Sequence, residues 1–366
     1  MELNPKYVEN NFSGEPSIKL AIRPFFSIII PCYNSKPNRI YTLLESIYKQ
    51  TYNVPLEVIL VDDCSPDTSY FEVVKEYAEK MSIRQIKTEK DSVHCPGNTR
   101  EAGAQIATGQ WITFSDHDDE FVVGGLKKVL DAIINYREKY VAWASFNEVD
   151  PITKKIHREM IHTSNWMHAK FYNLDNFWKA RNIHFKKDLV THEDIYVSTY
   201  TRMALQEINP NGPLLIDETT YLWKAWDDTV SRTKYNDKTF LEKFFPDYVA
   251  STARVCMDVY KDPNFLNKEK CITGCIDSFL FMYFYIQGFK FQRPTDYIPE
   301  NITLAKSYLK EILDTCNITK DYMLGKIKEN NANWYNRVRE AAIIGVGEFI
   351  ESDTLYDFMD YEQPEH

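Results

Sequence analysis

The sequence predicts an α/β protein: a doubly wound, mostly parallel sheet flanked by helices, followed by a helical C-terminal region. Three observations carry that prediction. Short apolar runs alternate with amphipathic stretches from residue 25 to residue 119, the pattern of successive strand-helix-strand units. The first two runs, Phe25–Pro31 and Leu56–Val61, are almost continuously apolar, as strands buried on both faces must be. Successive runs end in polar or acidic residues, at the strand ends where open α/β sheets gather their ligands.

Residues 1–24 are polar, with Asn10-Asn11 and Ser13-Gly14, and read as a loose N-terminal arm. The first strand, Phe25–Pro31, is stopped by its proline. Asn38–Gln50 then carries Ile40, Leu43, Leu44 and Ile47 at helical spacing. The second strand closes on Asp62-Asp63, and a helix is expected over Asp67–Lys80 after Ser65-Pro66. A third strand covers Ile83–Ile86, a third, alanine-rich helix Arg100–Thr108, and Trp111, Ile112 and Phe114 form a fourth strand. Beyond Asn236 the chain reads as helical, with aromatic-rich amphipathic segments at Phe240–Tyr248, Ile276–Phe289 and Trp334–Phe349 and an acidic tail. The expected division is an arm over 1–24, a sheet domain over 25–232 and a helical region over 233–366.

Composition bounds the function. The chain has 366 residues, of which 44% are hydrophobic, and a formal net charge of −10, which argues against holding nucleic acid mainly by neutralising phosphates. Seven cysteines are scattered without a Cys-x-x-Cys pair, so they read as reduced thiols rather than a zinc site or a disulfide framework. The longest apolar run, Phe279–Ile286, is too short to span a bilayer. The expected location is cytoplasmic, with a peripheral seat at a membrane left open. Neither a Gly-x-Gly-x-x-Gly turn nor a Gly-x-x-x-x-Gly-Lys loop follows the first strand, so neither a dinucleotide fold nor a phosphate loop is signalled.

The fourth strand runs into Asp116, Asp118 and Asp119. Carboxylates so close repel one another unless a positive charge joins them. A hard divalent cation is one answer, since it takes one or two protein carboxylates and completes its shell with phosphate oxygens and water. A solvated acidic turn ahead of Gly124-Gly125 is the other.

Four blocks widen the view: Ser27-Ile-Ile-Ile-Pro-Cys-Tyr-Asn34, Ser46-Ile-Tyr-Lys-Gln-Thr51, Glu57-Val-Ile-Leu-Val-Asp-Asp-Cys-Ser-Pro-Asp67 and Ala107-Thr-Gly-Gln-Trp-Ile-Thr-Phe-Ser-Asp-His-Asp-Asp119. In this order and spacing they resemble the family 2 glycosyltransferases, over about residues 25–232. The resemblance implies a GT-A fold and transfer of a sugar, with inversion, from a nucleoside diphosphate sugar. It places Pro31 and Tyr33 at the nucleobase, with Tyr33 offering a stacking face. It also matches Asp63 to the carboxylate that accepts a pyrimidine ring N–H, favouring a UDP-sugar. Arg100 falls either near the diphosphate or in a salt bridge behind it. Asp116 and Asp118 match the metal motif for Mn or Mg, with Asp118 the direct ligand and His117 a bystander.

Inverting transfer also needs a base for the acceptor hydroxyl. Thr191-His-Glu-Asp-Ile-Tyr196 is similar to the family's acceptor-side Glu-Asp segment, which assigns Asp194 as base and Glu193 as its neighbour or an acceptor contact. In the block Tyr221–Arg232, Trp223 or Trp226 is expected either to wall the acceptor site or to lie in the core, and Lys224 or Arg232 to meet the leaving diphosphate. The chain departs from the pattern at Glu101, at Cys64 and in the individual loop His94-Cys-Pro-Gly97. The expected acceptor is the hydroxyl of a glycan, with a protein or modified nucleic acid as alternatives. Two rival classes are a nucleotidyltransferase, which would want a basic glycine-rich loop that Cys32–Asn38 lacks, and a non-catalytic module that retains the nucleotide fold.

Overall fold

The computed structural model describes residues 13–89, 94–136, 140–163, 166–187, 189–228, 245–274 and 299–319. The chain divides into two compact units, Met1–Arg232 and Thr233–His366.

The first unit is built on a nine-stranded sheet with the order β3-β2-β1-β4-β8-β6-β9-β5, and β7 added beside β6. β1 (Phe26–Cys32) and β2 (Leu56–Asp62) are buried at every residue, as their apolar runs require. They pair in parallel with each other, and with β4 (Trp111–Phe114) and β3 (Ile83–Lys87) respectively. Helices α1 (Pro37–Tyr48), α2 (Phe71–Ala78) and α3 (Pro96–Ile106) make the crossovers. α3 starts four residues earlier than its alanines indicate, because Pro96 takes the first helical position, where its fixed φ and missing N–H cost nothing.

Beyond β4 the sheet becomes mixed. β6 (Val141–Val149) and β8 (Lys170–Asn173) are antiparallel, and β8 lies antiparallel to β4 as well. β9 (Leu214–Lys224) runs parallel to β6 and antiparallel to β5 (Glu120–Phe121), while β7 (Ile156–Met160) runs antiparallel to β6. The parallel character expected from the first 119 residues is thus that of β3-β2-β1-β4, and the second half of the sheet adds antiparallel strands. α4 (Gly125–Asn135) buries Leu126, Val129, Leu130 and Ile133, a short π-helical turn spans Leu174–Lys179, and α5 (Glu193–Ile208) follows.

Residues 13–24 are tied down rather than loose. Ser17 donates its N–H to the Ile83 carbonyl at 2.9 Å, along the edge strand β3, which blunts that edge. Arg23 binds the carbonyls of Thr108 and Gly109 and pairs with Asp175 at 2.7 Å.

Close packing of α3 on the sheet depends on Gly103. A Cβ there would lie 2.5 Å from Cγ2 of Ile29, a fully buried β1 side chain with no room to retreat. Gly103→Ala is therefore expected to destabilise the unit by about 1–3 kcal/mol through overpacking, read as a lower denaturation midpoint at unchanged slope. An unshifted midpoint would mean that α3 moves away from β1 without cost.

In the second unit, α6 (Phe245–Lys261) buries Val249, Ala253, Cys256 and Val259 on one face. The Cys316 thiol at the end of α7 (Pro299–Cys316) reaches the Cys256 carbonyl at 3.9 Å. The segments expected as helices at 276–289 and 334–349 lie outside the described residues, as does Arg232. Among the described residues six cysteines are free thiols, and no helix is long and apolar enough to cross a membrane.

Candidate active site

The C-terminal rim of β1, β2 and β4 carries two clusters. At the first, Asp63 is only 3% exposed and its carboxylate is fixed on both sides. Oδ1 accepts the Thr88 hydroxyl at 2.6 Å, and Oδ2 accepts the Cys95 N–H at 3.1 Å with His94 Nδ1 at 3.3 Å. Tyr33, 42% exposed, follows the end of β1, which runs one residue past Pro31 to Cys32 rather than stopping at the proline. Asn34 and Cys64, the residues that turn the chain away from this rim, both hold left-handed backbone, φ 47° and 54°, a conformation that costs non-glycine residues on the order of 1–2 kcal/mol.

The second cluster is built around Tyr221 of β9, which is completely buried. Its hydroxyl accepts the Asp116 N–H at 3.1 Å and donates to Asp119 Oδ2 at 2.7 Å, while Asp119 Oδ1 accepts the Lys224 N–H at 2.8 Å. Burial, with the charges of Asp118 and Asp116 added, pushes the Asp119 carboxyl well above the usual carboxylate range. Burial likewise raises Asp118, with Asp116 contributing. Against the pull of burial, Arg100 holds Asp116 below that range. The cluster is thus short of positive charge.

Two arginines supply part of it. Arg100, from α3, is 7% exposed and donates to Asp116 Oδ1 at 2.7 Å and to Glu193 Oε1 at 2.5 Å. Burial opposes its charge, but Asp116 and Glu193 keep it protonated. Gly97 makes room for this bridge, since a Cβ there would stand 2.9 Å from Cγ of Glu193. Arg39, from α1, lies 3.6 Å from Asp118 Oδ2, pairs with Asp228 at 2.6 Å and stacks on the Trp226 ring at 4.0 Å. Trp226 Nε1 donates in turn to the Asp118 carbonyl at 3.0 Å.

His168 completes the wall. It is 9% exposed, stacked on Tyr221 and Trp223 at ring distances of 5.3 and 5.6 Å. Burial lowers its pKa, so the neutral imidazole is favoured. It brings a donor atom within 4.8 Å of those of Asp116 and Asp119, which together could hold a metal ion. The next residue, Ala169, has φ 54°. Lys170 follows, 2% exposed, and burial pushes its ammonium pKa down to about 7 against the opposing charge of Asp194.

Glu193 and Asp194 open α5 after His192, whose φ is 60°. Glu193 is 5% exposed and committed to Arg100, whereas Asp194 is half-buried and accepts the Ile195 N–H at 2.9 Å. Residues 27–207 match the family model described as glycosyl transferase family 2. The chain belongs to that family.

Within family 2, the chain is 29% identical over 182 residues to the poly(ribitol-phosphate) β-N-acetylglucosaminyltransferase TarS of Staphylococcus aureus, covering 46% of this chain and 31% of the relative. It is 28% identical over 190 residues to polypeptide N-acetylgalactosaminyltransferase 3 of Mus musculus, covering 50% of this chain and 28% of that one. The chain thus spans about a third of the length of these curated relatives. Among solved structures, TarS 1-349 of S. aureus in complex with UDP-GlcNAc matches with a TM-score of 0.61 at 19% identity, over 86% of this chain and 92% of that one. Full TarS matches with a TM-score of 0.59 at 19% identity, over 86% of this chain and 55% of that one. At such identities the likeness speaks to the fold, which is the GT-A fold of family 2.

The structure gathers Arg100, Asp116, Asp118 and Glu193 with Asp194 beside them, and sets Pro31, Tyr33 and Asp63 together on the same rim. It locates Arg100 in the salt bridge, one of its two sequence readings. Lys224, expected to face a diphosphate, instead has its ammonium 3.0 Å from Glu120 and is 4% exposed; β9 pairs with β5 and so turns Lys224 to that carboxylate. Trp223 stacks on His168, and Trp226 lies under Arg39. Sequence reasoning missed Arg39 and His168. Arg39 lies on the buried face of α1 beside Ile40 and carries no motif. His168 is a lone histidine in a loop, aimed inward by the left-handed Ala169.

Proposed function

We propose that this chain is a divalent-metal-dependent inverting glycosyltransferase that moves a sugar from a UDP-sugar to an acceptor hydroxyl, most consistent with a glycan, with Asp194 as general base. The observation that carries this reading is the convergence of Asp116 and Glu193 on one buried guanidinium, Arg100, which ties the carboxylate cluster after β4 to the helix start that carries Asp194. The UDP-GlcNAc bound to the TarS structure supports a uridine donor, as does a rigid Asp63 beside an exposed Tyr33.

The residues present fit a cation. Burial, with the charge of Asp116 added, raises Asp118, and burial, with Asp118 and Asp116 added, raises Asp119, while Arg39 at 3.6 Å compensates Asp118 only in part. Asp116, Asp119 and His168 bring their donor atoms close enough to hold the ion, Asp118 is its further ligand by the match to the metal motif, and the nitrogen ligand favours Mn over the oxygen-preferring Mg. When bound, the ion supplies Lewis-acid stabilisation of the leaving diphosphate. Asp194 takes the proton of the acceptor hydroxyl as it attacks the anomeric carbon. Arg100 holds Glu193 in place, so the helix start that carries Asp194 stays fixed. Trp223 and Trp226 line the entrance as flat apolar walls.

The test is calorimetric titration of UDP, with and without Mn, into wild type and Asp118→Ala. Metal-dependent binding that the substitution abolishes is the expected result. Binding of GDP but not UDP would overturn the uridine assignment from Asp63. No nucleotide binding with any metal would overturn the enzyme reading in favour of a non-catalytic module.

A further inference from the structure

The loop His94-Cys-Pro-Gly97 places an aromatic ring where the proposed donor's base is received. The His94 ring centre lies 4.5 Å from that of Tyr33, with a tilt of 35°. Its Nδ1 is 3.3 Å from Asp63 Oδ2. A planar ring that lies on Tyr33 and offers an N–H to Asp63 makes the same pair of contacts that a uracil ring would make. Asp63 cannot step aside: its side chain is 4% exposed and anchored by Thr88 and the Cys95 N–H. His94 can, because its side chain is 47% exposed and a rotation about its own χ angles carries it into water.

We infer that His94 occludes the base site: its imidazole stands in for the base on Tyr33 and Asp63, and a donor binds only by displacing it. This rests on the reading that Tyr33 and Asp63 receive uracil. Displacement costs every nucleotide the same free energy, so the occlusion lowers affinity by one common factor and leaves the preference among bases to Asp63. The apparent dissociation constant is the intrinsic one divided by the fraction of molecules in which His94 has swung out.

The experiment is titration of UDP, and separately of CDP, whose base lacks the imide N–H, into wild type, His94→Ala and Asp63→Ala of the full chain with Mn present. His94→Ala is expected to bind UDP about fivefold more tightly, as for a slot open in roughly a fifth of molecules, and to keep the preference for UDP over CDP, since the same factor applies to both. Damage to the fold lowers affinity and cannot produce this gain. Wild type that binds UDP, with His94→Ala equal or weaker, overturns the inference and leaves the donor site standing: His94 would then be a second wall of the base site. UDP binding to His94→Ala alone would support the inference in its strongest form. Binding of UDP to Asp63→Ala as tightly as to wild type, or to none of the proteins, overturns the base-site reading and the inference with it.

Discussion

Asp194→Asn is expected to lower the rate of sugar transfer by about 10²–10⁴-fold, the contribution of a positioned general base, while UDP binding stays at the wild-type level. The two acids at the start of α5 are not equivalent. Glu193 is buried and spends its charge on Arg100, so it stabilises the site without being available to a hydroxyl. Asp194 is half-buried, and the bond it accepts from the Ile195 N–H orients it without burying it. Asparagine keeps the size and that hydrogen bond but has no lone pair basic enough to take a proton. Initial rates with a panel of UDP-sugars, set beside calorimetry on the same protein, separate chemistry from binding. Full transfer by Asp194→Asn would sink the assignment. A matching loss of UDP affinity would move Asp194 to the donor side.

Arg100→Met is expected to have the largest effect on stability. Removing one partner of a buried ion pair leaves the others uncompensated and costs about 3–5 kcal/mol; here two carboxylates, Glu193 and Asp116, lose their cation together. For a unit of this size that corresponds to a fall in Tm on the order of 10 °C. Part of it is recovered by Arg100→Met with Glu193→Gln, because the glutamine no longer brings a charge into the site. A Tm within about 2 °C of wild type would show that water reaches the bridge and that the guanidinium is not a structural tie.

How much of this was legible in the sequence follows from how local each signal is. β1 and β2 are buried on both faces and so appear as unbroken apolar runs, and their acidic or aromatic ends, Tyr33, Asp63 and Asp116–Asp119, follow at once in the chain. That rim of the sheet could therefore be read residue by residue. The other half could not. β8 is four residues long, too short to show a period, and becomes a strand only because β4 and β6 pair with it on either side. Lys224 has no neighbour in sequence that announces Glu120. Asp119 was seen as one acid of three, but its ties to Tyr221 and to the Lys224 backbone depend on a strand about a hundred residues away. The arm at 13–24 looked loose because its anchors, the Ile83 carbonyl and the 108–109 backbone, are long-range.

The interleaved order β4-β8-β6-β9-β5 has a consequence for how the protein comes into being. During synthesis, β1 can pair with β2 and β2 with β3 early, whereas β1 meets β4 only once residue 114 has emerged. β5 must wait for β9, and so must Asp119, since Tyr221 and the Lys224 N–H are the groups that hold it. A nascent chain that ends before residue 224 therefore carries the parallel half of the sheet, with Arg39 and Arg100 already made to face Asp118 and Asp116, and leaves Asp119 without its partners. The last strand of the sheet to arrive completes the acidic cluster, so the polarity of translation itself delays the finished cluster until the first unit has been made.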